Sequence, residues 1–508
     1  RRKWSVMAKL SEWLKGLEPV SVVGSTAIDV SGIAYDSRTV KKGDLFVCIK
    51  GFSDDGHRYL DDARQAGAVA AVVEEEVEAP DSFTVVHVPN SRRALALISD
   101  KYCDRPSRKL AVIGITGTNG KTTTSYLTRA VLAAAGERTG LIGTVRHWIG
   151  ERAIVPVHTT PESLDLQELL ASMVRENISS VVMEVSSHAL ALDRVVGVEF
   201  DAALFTNISR DHLDFHRTYD AYRAAKAHLF TLLAVSAKES KFAVFNFDDP
   251  VGRELADAWD GDALVYGLDP EADVRASALE TSLNRTGFSV TFAGEERRVT
   301  IPLGGKHNVH NALGAYAVGL GLGFDRGTIE DGLTAVGQVP GRFELVVDAD
   351  PFSVIVDYAH TPDALRFVLS SVKELTSGRL IAVFGCGGDR DRGKRPLMGE
   401  IAASIADYTI VTSDNPRSED PVAIIDEILD GIDRDRTPVG VEPDRRAAIE
   451  QALSAARAGD SVVIAGKGHE DYQILGSRRI HFDDRETVRE LLGAGSGSSA
   501  PVADSARF

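Results

Sequence analysis

Residues Lys109–Thr124 read KLAVIGITGTNGKTTT, and the rest of the chain is organised around them. Leu110–Ile115 is a short, β-branched apolar run, the pattern of a buried strand. It runs into Gly117-Thr118-Asn119-Gly120-Lys121-Thr122-Thr123. Ser125–Ala135 then carries Leu127, Val131 and Leu132 at helical spacing. Strand, glycine loop and helix form the setting of a phosphate-binding P-loop. The glycines let backbone N–H groups face a phosphate chain, and the helix N-terminus adds positive potential. In that setting Lys121 reaches the β- and γ-phosphates and the Thr122 hydroxyl completes a Mg²⁺ shell. The spacing departs from G-x-x-x-x-G-K-[ST], because Ile115 stands where the first glycine belongs. The alternative is a plain glycine turn with a solvated lysine. The flanking elements and three consecutive threonines favour the phosphate loop.

The composition sets outer bounds. At 508 residues the chain is too long for one core, and three domains are expected. A formal net charge of −17 argues against nucleic acid or an anionic membrane as the main partner, so any bound phosphate needs local positive groups. Cys48, Cys103 and Cys386 lie far apart without metal-ligand spacing, and such sparse usage suits a reducing cytoplasm. No apolar run approaches a membrane span. The opening RRKWSVMAKLSEW has basic residues but no apolar core, so no secretory signal is expected, and residues before Met7 read as an extension without a role.

Before Arg108 short strands and helices alternate. Strands are expected at Asp44–Ile49, Val69–Val73 and Thr84–Val88, and a helix at Tyr59–Ala66. Two polar clusters, Tyr35–Arg38 and Gly51–His57, fall in loops, where small-molecule contacts gather. Asp, Ser and Gly are also ordinary turn residues, and the residues alone favour that plainer reading.

In the central segment, 109–340, five further stretches look chemical. His158-Thr159-Thr160-Pro161-Glu162 offers hydroxyls ahead of a helix. Val181–His188 places Glu184 inside an apolar strand, where a carboxylate needs a partner or a cation. Glu184 is therefore a metal-ligand candidate, with a structural ion pair as the alternative. Leu204–Ile208 leads to Ser209-Arg210-Asp211-His212-Leu213-Asp214-Phe215-His216, acids and imidazoles crowded at a strand end, which suits a divalent cation. A helix at Tyr219–Leu232 then sets Lys226 among alanines and Leu229, so the lysine either snorkels or is neutral and functional. Asn308 and Asn311 precede a helix expected over Ala312–Leu322, either touching a nucleoside or capping the helix.

From Arg342 the alternation is regular. Strands are expected at Ser353–Tyr358, Arg379–Gly385, Tyr408–Ser413 and Ser461–Ala465. Helices are expected at Thr361–Leu375, Pro396–Ala406, Pro421–Ile432 and Arg445–Ala458. That predicts a doubly wound α/β unit with a mostly parallel sheet. Its strand ends carry Asp357–His360, Gly385–Arg392, Asp414–Arg417 and Gly466–Glu470, and ligands bind outside the carboxyl ends of such strands. The tail from Gly493 is low in complexity and expected to be disordered.

Together these motifs resemble the Mur ligase family of peptidoglycan synthesis over about residues 20 to 490. The features that carry the resemblance are GTNGKTT at 117–123, HTTPE at 158–162, MEVSSHAL at 183–190, TNISRDHLDFH at 206–216, the lysine of AAKAHLF, GRFE at 341–344, DYAHTPD at 357–363, GCGGDRDRGKRP at 385–396, DNPR at 414–417 and GKGHE at 466–470. The resemblance implies an α/β protein of three domains: a UDP-substrate domain (1–108), a P-loop ATPase domain (109–340) and a Rossmann-like amino-acid-binding domain (341–493), with 494–508 as tail. Each has a mostly parallel sheet, and hinges are implied near 108 and 340.

It also implies roles. Gly117, Thr118, Asn119, Gly120, Lys121, Thr122 and Thr123, with Asn308, Arg342 and Asp357, match ATP contacts. Thr122, Glu184, His212 and Lys226 match magnesium ligands, Lys226 as a carbamate (N6-carboxylysine), which turns the cation into an anion. Lys121, Lys226, His212 and Glu184 form the implied catalytic set. Ser37 and His57 match uridine-diphosphate contacts, and Thr159, Thr160, Ser186 and Arg194 match the peptide end of that substrate. Leu192 stands where some relatives have glutamine. Arg390, Asp414, Asn415, Pro416, Arg417, Gly466 and Glu470 match a meso-diaminopimelate site. An arginine fork suits the second carboxylate of that amino acid and repels the ammonium of lysine.

The implied activity is ATP-dependent addition of meso-diaminopimelate to UDP-N-acetylmuramoyl-L-alanyl-D-glutamate by a cytoplasmic monomer. The alternatives are the same ligase using L-lysine, a neighbouring ligase such as a folate polyglutamate synthetase, and a non-catalytic scaffold. The presence of Lys121, Glu184, His212 and Lys226 argues against the scaffold, and DNPR with Asp36-Ser37-Arg38 argues against the neighbouring ligases.

Overall fold

The computed structural model describes residues 7–51, 54–78, 80, 82–349, 351–435 and 437–493. Phe52 and Ser53 of the second N-terminal cluster, the residues before Met7 and the tail from 494 lie outside the described residues. The described chain forms two compact units. One takes residues up to 276 with 290–297 and 310–334; the other takes 277–289, 298–309 and 335 onward. The fold is α/β, with three domains built on mostly parallel sheets. Among the described residues no helix is long and apolar enough to cross a membrane.

In the first unit, β1 (Ser21–Val23), β2 (Gly32–Ala34), β3 (Asp44–Val47), β4 (Ala70–Val73) and β5 (Thr84–His87) form a sheet in the order β1-β5-β4-β3-β2. Strands β2 to β5 run parallel, and β1 pairs antiparallel with β5. The fully buried β3 and β4 pack Leu45, Val47, Ala70 and Val72 against Leu95 and Ile98 of α1 (Ser91–Tyr102).

The second sheet of this unit contains β6 (Ala111–Thr116), the strand of the opening quotation. Beside it lie β7 (Thr139–Ile142), β8 (His147–Ile149), β9 (Arg152–Ile154), β10 (Ser180–Glu184), β11 (Ala202–Phe205), β12 (Phe242–Asn246) and β13 (Asp262–Gly267), in the order β9-β8-β7-β10-β6-β11-β12-β13. Strand β6 sits between β10 and β11, both parallel to it, with Glu184 opposite Ile115 and Phe205 opposite Thr116. That register puts the glycine loop, Glu184 and the Thr206-Asn207 turn at one sheet edge, the carboxyl edge where α/β ligands bind. Every strand residue from Val112 to Thr116 is buried, so the run reads as continuously apolar.

Two helices start earlier than their sequences suggest. The helix after the glycine loop, α2, spans Lys121–Ala134, not Ser125–Ala135. Thr122, Thr123 and Thr124 are buried in its first turn, where packing overrides the weak helical preference of β-branched residues. Likewise α3 spans His307–Gly321. Asn308 and Asn311 are thus inside the helix and do not precede it. The strand carrying Glu184 ends at that residue, and the strand expected to run through Ile208 ends at Phe205, which frees Thr206–Ile208 as a loop.

In the second unit, β14 (Glu344–Ala349), β15 (Phe352–Asp357), β16 (Leu380–Phe384), β17 (Tyr408–Val411), β18 (Val439–Val441) and β19 (Ser461–Ala465) form a sheet in the order β14-β15-β19-β16-β17-β18. All but β14 are parallel. The last strand in sequence therefore inserts between β15 and β16. This places Asp357, Gly466, Gly385 and the residues after Val411 on four adjacent strands at one edge. Helices Pro362–Leu375, Lys394–Ile405 and Pro421–Leu429 cover one face through Leu369, Met398 and Ile428; the helix Arg445–Ala455 covers the other through Ile449.

Candidate active site

Gly117 and Gly120 both have positive φ (146° and 85°). A Cβ on Gly117 would collide with Thr206 Oγ1, and one on Gly120 with Asn311 Oδ1, so both positions require glycine. The loop is bracketed by Asn207: its backbone carbonyl accepts from Thr118 N at 2.8 Å, its Oδ1 accepts from Asn119 N at 3.0 Å and its Nδ2 donates to Asn119 O at 3.1 Å. Lys121 Nζ folds back to donate to Gly117 O at 2.8 Å and Thr118 O at 2.9 Å. The loop's shape is thus held by the chain's own hydrogen bonds. Thr123 is buried beside Thr122 in the first helical turn.

Glu184 is 1% exposed, yet it makes no ion pair among the described residues. Its carboxylate accepts from Thr122 Oγ1 (2.9 Å), Thr144 N (2.8 Å) and Thr144 Oγ1 (2.9 Å). A buried carboxylate surrounded by hydroxyls and left without a cation is the donor chemistry a hard divalent ion prefers. The residues present therefore fit Mg²⁺. Thr144 carries no motif, and its one signal in the sequence is its place just after an apolar strand.

Lys226 is 2% exposed and lies on the helix Tyr219–Val235. Its Nζ donates to Gly117 O at 2.5 Å and sits 4.5 Å from the centroid of the Tyr222 ring. Burial, helped by the charge of Lys121, pushes its amine well below the ordinary lysine value. Tyr222 OH also meets Thr118 Oγ1 at 2.9 Å. Tyr222 precedes Lys226 by one helical turn, a spacing that could have flagged it. His212 adopts a left-handed conformation (φ 52°) ahead of the short helix Leu213–His216. Its ring packs 4.8 Å from that of His188, and His216 Nε2 meets Ser187 Oγ at 3.0 Å. Burial, with the charge of His212, holds His188 down at about 4, and burial holds His216 at about 4.

The hydroxyls of the HTTPE stretch gather on the same edge. Thr159 Oγ1 meets Thr144 Oγ1 at 3.1 Å, and Thr160 Oγ1 donates to Glu184 O at 2.8 Å and accepts from Ser186 N at 3.1 Å. Arg194 pairs with Glu162 at 3.2 Å, and Arg92 pairs with the same carboxylate at 2.9 Å. Ser37 opens a one-turn 3₁₀ helix after β2. His57 is committed within its own domain: its Nε2 accepts from Glu74 N at 3.1 Å, which leaves the proton on Nδ1, 2.6 Å from Asp55 Oδ1.

In the second unit Asn308 Nδ2 donates to Gly304 O at 2.8 Å. Arg342 lies over the Tyr358 ring at 4.5 Å. Asp357 accepts from Phe343 N (2.6 Å) and Ala359 N (2.8 Å), and burial raises its carboxyl above the ordinary value. At the neighbouring strand ends, Asn415 Nδ2 donates to Glu470 Oε2 at 2.8 Å, and Asn415 Oδ1 accepts from Ile474 N at 3.0 Å. Asp414 Oδ1 accepts from Asn415 N at 2.6 Å, and Gln473 Nε2 donates to Asp414 O at 2.7 Å. Lys467, fully buried, donates to Glu470 Oε2 at 3.1 Å, and burial raises the Glu470 carboxyl. Gly466 has φ 114°, and a Cβ there would press on Asp414 Oδ2. Arg417 Nη1 donates to Gly388 O at 2.7 Å and Arg390 Nη1 to Asp389 O at 2.9 Å. Neither arginine makes an ion pair among the described residues.

The profile of the Mur ligase middle domain matches residues 115–319. The glutamate ligase domain of Mur ligases matches 341–468, and a Mur ligase family catalytic domain matches 29–102. A protein of Syntrophomonas wolfei named UDP-N-acetylmuramoyl-L-alanyl-D-glutamate--2,6-diaminopimelate ligase is 46% identical over 485 residues, 95% of this chain and 99% of that protein.

The chain belongs to the Mur ligase family.

A Clostridium botulinum Mur ligase of the same name is 45% identical, covering 94% of this chain and 98% of its own. A solved Mur ligase structure, again of a UDP-N-acetylmuramoyl-L-alanyl-D-glutamate--2,6-diaminopimelate ligase, superposes with a TM-score of 0.69 at 34% identity over 96% of this chain and 99% of the other. The Mur ligase MurF of Thermotoga maritima, solved with ADP, shares the fold at a TM-score of 0.59 and 19% identity, over 91% and 97% of the two chains. The protein is thus an enzyme of an ATP-dependent ligase family.

Proposed function

We propose that this ligase joins meso-diaminopimelate to the D-glutamate of UDP-N-acetylmuramoyl-L-alanyl-D-glutamate, using ATP, in the cytoplasm and as a monomer. The observation that carries the substrate reading is the pair Arg390 and Arg417. Both are anchored on adjacent carbonyls of one loop, and neither has a carboxylate partner among the described residues. Unpaired guanidinium groups beside Asn415 and Glu470 suit an amino acid with an additional carboxylate. The near full-length relatives that carry this activity in their names support the same reading. We take 1–108, 109–340 and 341–493 as the domains for the UDP substrate, ATP and the amino acid.

In the proposed reaction the D-glutamate γ-carboxylate attacks the γ-phosphorus of ATP, ADP departs, and an acyl phosphate forms. The diaminopimelate amine attacks that carbonyl and loses a proton, and phosphate leaves as the amide closes. Lys121 exchanges its loop carbonyls for phosphate oxygens and offsets their charge. Gly117–Thr123 line the phosphates, and Asn308, Arg342 and Asp357 serve the nucleoside. Thr122, Glu184, His212 and Lys226 would hold Mg²⁺, which when bound supplies charge stabilisation to the phosphoryl oxygens. The neutral amine of Lys226 suits addition to CO₂, with loss of a proton, to give the carbamate that this role requires. Ser37 and the His57 loop hold the uridine diphosphate. Thr159, Thr160, Ser186 and Arg194 orient the peptide end, and Asp414, Asn415, Pro416, Gly466 and Glu470 frame the incoming amino acid.

The test is phosphate release with ATP, Mg²⁺ and the UDP-dipeptide, comparing meso-diaminopimelate with L-lysine, bicarbonate being added throughout. Release with diaminopimelate alone is expected. Release with lysine instead would overturn the amino-acid assignment, and release with neither would overturn the ligase reaction.

A further inference from the structure

Two segments carry the unpaired arginines: the loop Gly387–Arg390 and the stretch Asn415–Glu419. Both contain a non-glycine residue in left-handed backbone, Asp389 (φ 54°) and Arg417 (φ 52°). Such a conformation is strained for a residue with a Cβ and persists only where its surroundings over-determine it. The structure shows what does so. Arg395, at the start of the helix Lys394–Ile405, has a side chain with no exposure at all. Its Nη1 and Nη2 grip Glu419 as a fork, at 2.9 and 2.8 Å. Its Nη1 also donates to Glu427 at 2.8 Å and its Nη2 to Gly387 O at 3.2 Å.

Glu419 passes the constraint on. Its Oε1 accepts from Asp389 N at 2.6 Å, and the Asp389 carboxylate accepts from Ser418 Oγ at 2.6 Å and Ser418 N at 3.3 Å. Gly388 N donates to Asn415 O at 2.9 Å, and the Arg417 guanidinium closes the circuit on Gly388 O. One buried guanidinium therefore ties the backbone of both segments together. It does so through Glu419 and the Gly387 carbonyl, and with Glu427 as a second carboxylate its own charge is neutralised and does not attract a ligand.

We infer that Arg395 is a positioning residue for the amino-acid site. It locks the Gly387–Arg390 loop against Asn415–Glu419, fixing Arg390 and Arg417 as one anion-reading pair and setting the discrimination between an amino acid with a distal carboxylate and one with a distal ammonium. This rests on the reading of these arginines as the diaminopimelate site. Lysine at position 395 keeps the charge and loses the fork, so the segments would part while the domain remains charge-balanced.

The experiment measures steady-state phosphate release for the wild type, Arg395→Lys and Ser418→Ala, each checked for folding by thermal melting. Ser418→Ala cuts the Asp389 link without disturbing a buried charge. The expected result is a KM for meso-diaminopimelate raised about 10-fold or more in Arg395→Lys, and by a smaller factor in Ser418→Ala. The preference over lysine should fall in step, with KM for ATP and for the UDP-dipeptide within about twofold of wild type. A residue that only stabilised the domain would lower the melting temperature and the active fraction and leave that preference intact. Unchanged diaminopimelate KM and preference in a folded Arg395→Lys overturn the inference. If that variant does not fold, the same result in Ser418→Ala overturns it. A wild type that prefers lysine overturns the substrate reading and this inference with it, and is recognised before any variant is compared.

Discussion

Lys226 and Lys467 are both buried, and the structure treats them in opposite ways. Lys226 meets a carbonyl and an aromatic ring and forms no ion pair among the described residues. Lys467 meets the carboxylate of Glu470 at 3.1 Å, the carbonyl of Tyr472 and Asn415 Oδ1 at 3.4 Å. The surroundings repeat the contrast. On the P-loop edge Glu184 is buried among neutral donors. In the last domain two buried arginines are cross-linked, Arg445 with Asp484 at 2.7 Å and Arg395 with Glu419 and Glu427. A buried charge with its own partner is scaffolding, whereas one held without a partner is an opening for a ligand or a modification. Beside this cross-linked region the exposed Arg390 and the half-buried Arg417 have no carboxylate partner among the described residues, and the amino-acid site is proposed there.

If the lysines of the P-loop edge are the working groups, removing them should affect turnover most. Lys121→Ala and Lys226→Ala should each lower phosphate release about 10³-fold or more while calorimetry still shows UDP-dipeptide binding. With ¹³C-bicarbonate, a carbamate carbon signal should be present in the wild type and absent in Lys226→Ala. Retained turnover in either variant would break the comparison at its strongest point.

The paired lysine should reveal itself in stability. Lys467→Met strands Glu470 and should cost about 3–5 kcal/mol in denaturant unfolding. Lys226→Met, measured without bicarbonate, should instead stabilise the protein at neutral pH. The folded state depresses the Lys226 amine below its ordinary 10.5, so the unfolded chain binds the extra proton and the wild type is penalised below that pH. The gain from Lys226→Met should therefore shrink as pH rises toward 10.5. Equal destabilisation by both substitutions would dissolve the distinction.

Arg417→Ala should weaken meso-diaminopimelate by about 1.5–3 kcal/mol, read as KM, and leave KM for ATP unchanged. Equal loss for both substrates would count against its role.

The smallest effect concerns the scaffold alone. Hydrogen bonds from Arg395 and the Asp389 amide hold the Glu419 carboxyl down at about 2, against an ordinary 4.5. Its contribution is present above pH 4.5 and lost as pH falls toward 2. The stability difference between wild type and Glu419→Gln should hold constant at neutral pH and fade across that window.

What the sequence determined by itself was local. The P-loop, the DNPR and GKGHE stretches and the alternation of strands and helices are each written within a few adjacent residues, where backbone conformation and hydrophobic period act. The sequence also placed a carboxylate and a lysine in apolar settings at Glu184 and Lys226, but could not say which buried charge had a partner. Lys226 among alanines and Lys467 between glycines look equally ambiguous. Pairing was decided by tertiary structure, because the partners come from distant segments: Asp484 for Arg445, Glu419 and Glu427 for Arg395, Thr144 for Glu184. The insertion of β19 between β15 and β16, which brings GKGHE beside DYAH and the Gly385 loop, is likewise a choice of sheet order. The start of α3 at His307 was hidden because glycine and asparagine carry no helical period, and only packing against the P-loop fixes Asn311 there. Local propensity writes motifs; desolvation and long-range pairing decide which of their charges are left to do chemistry.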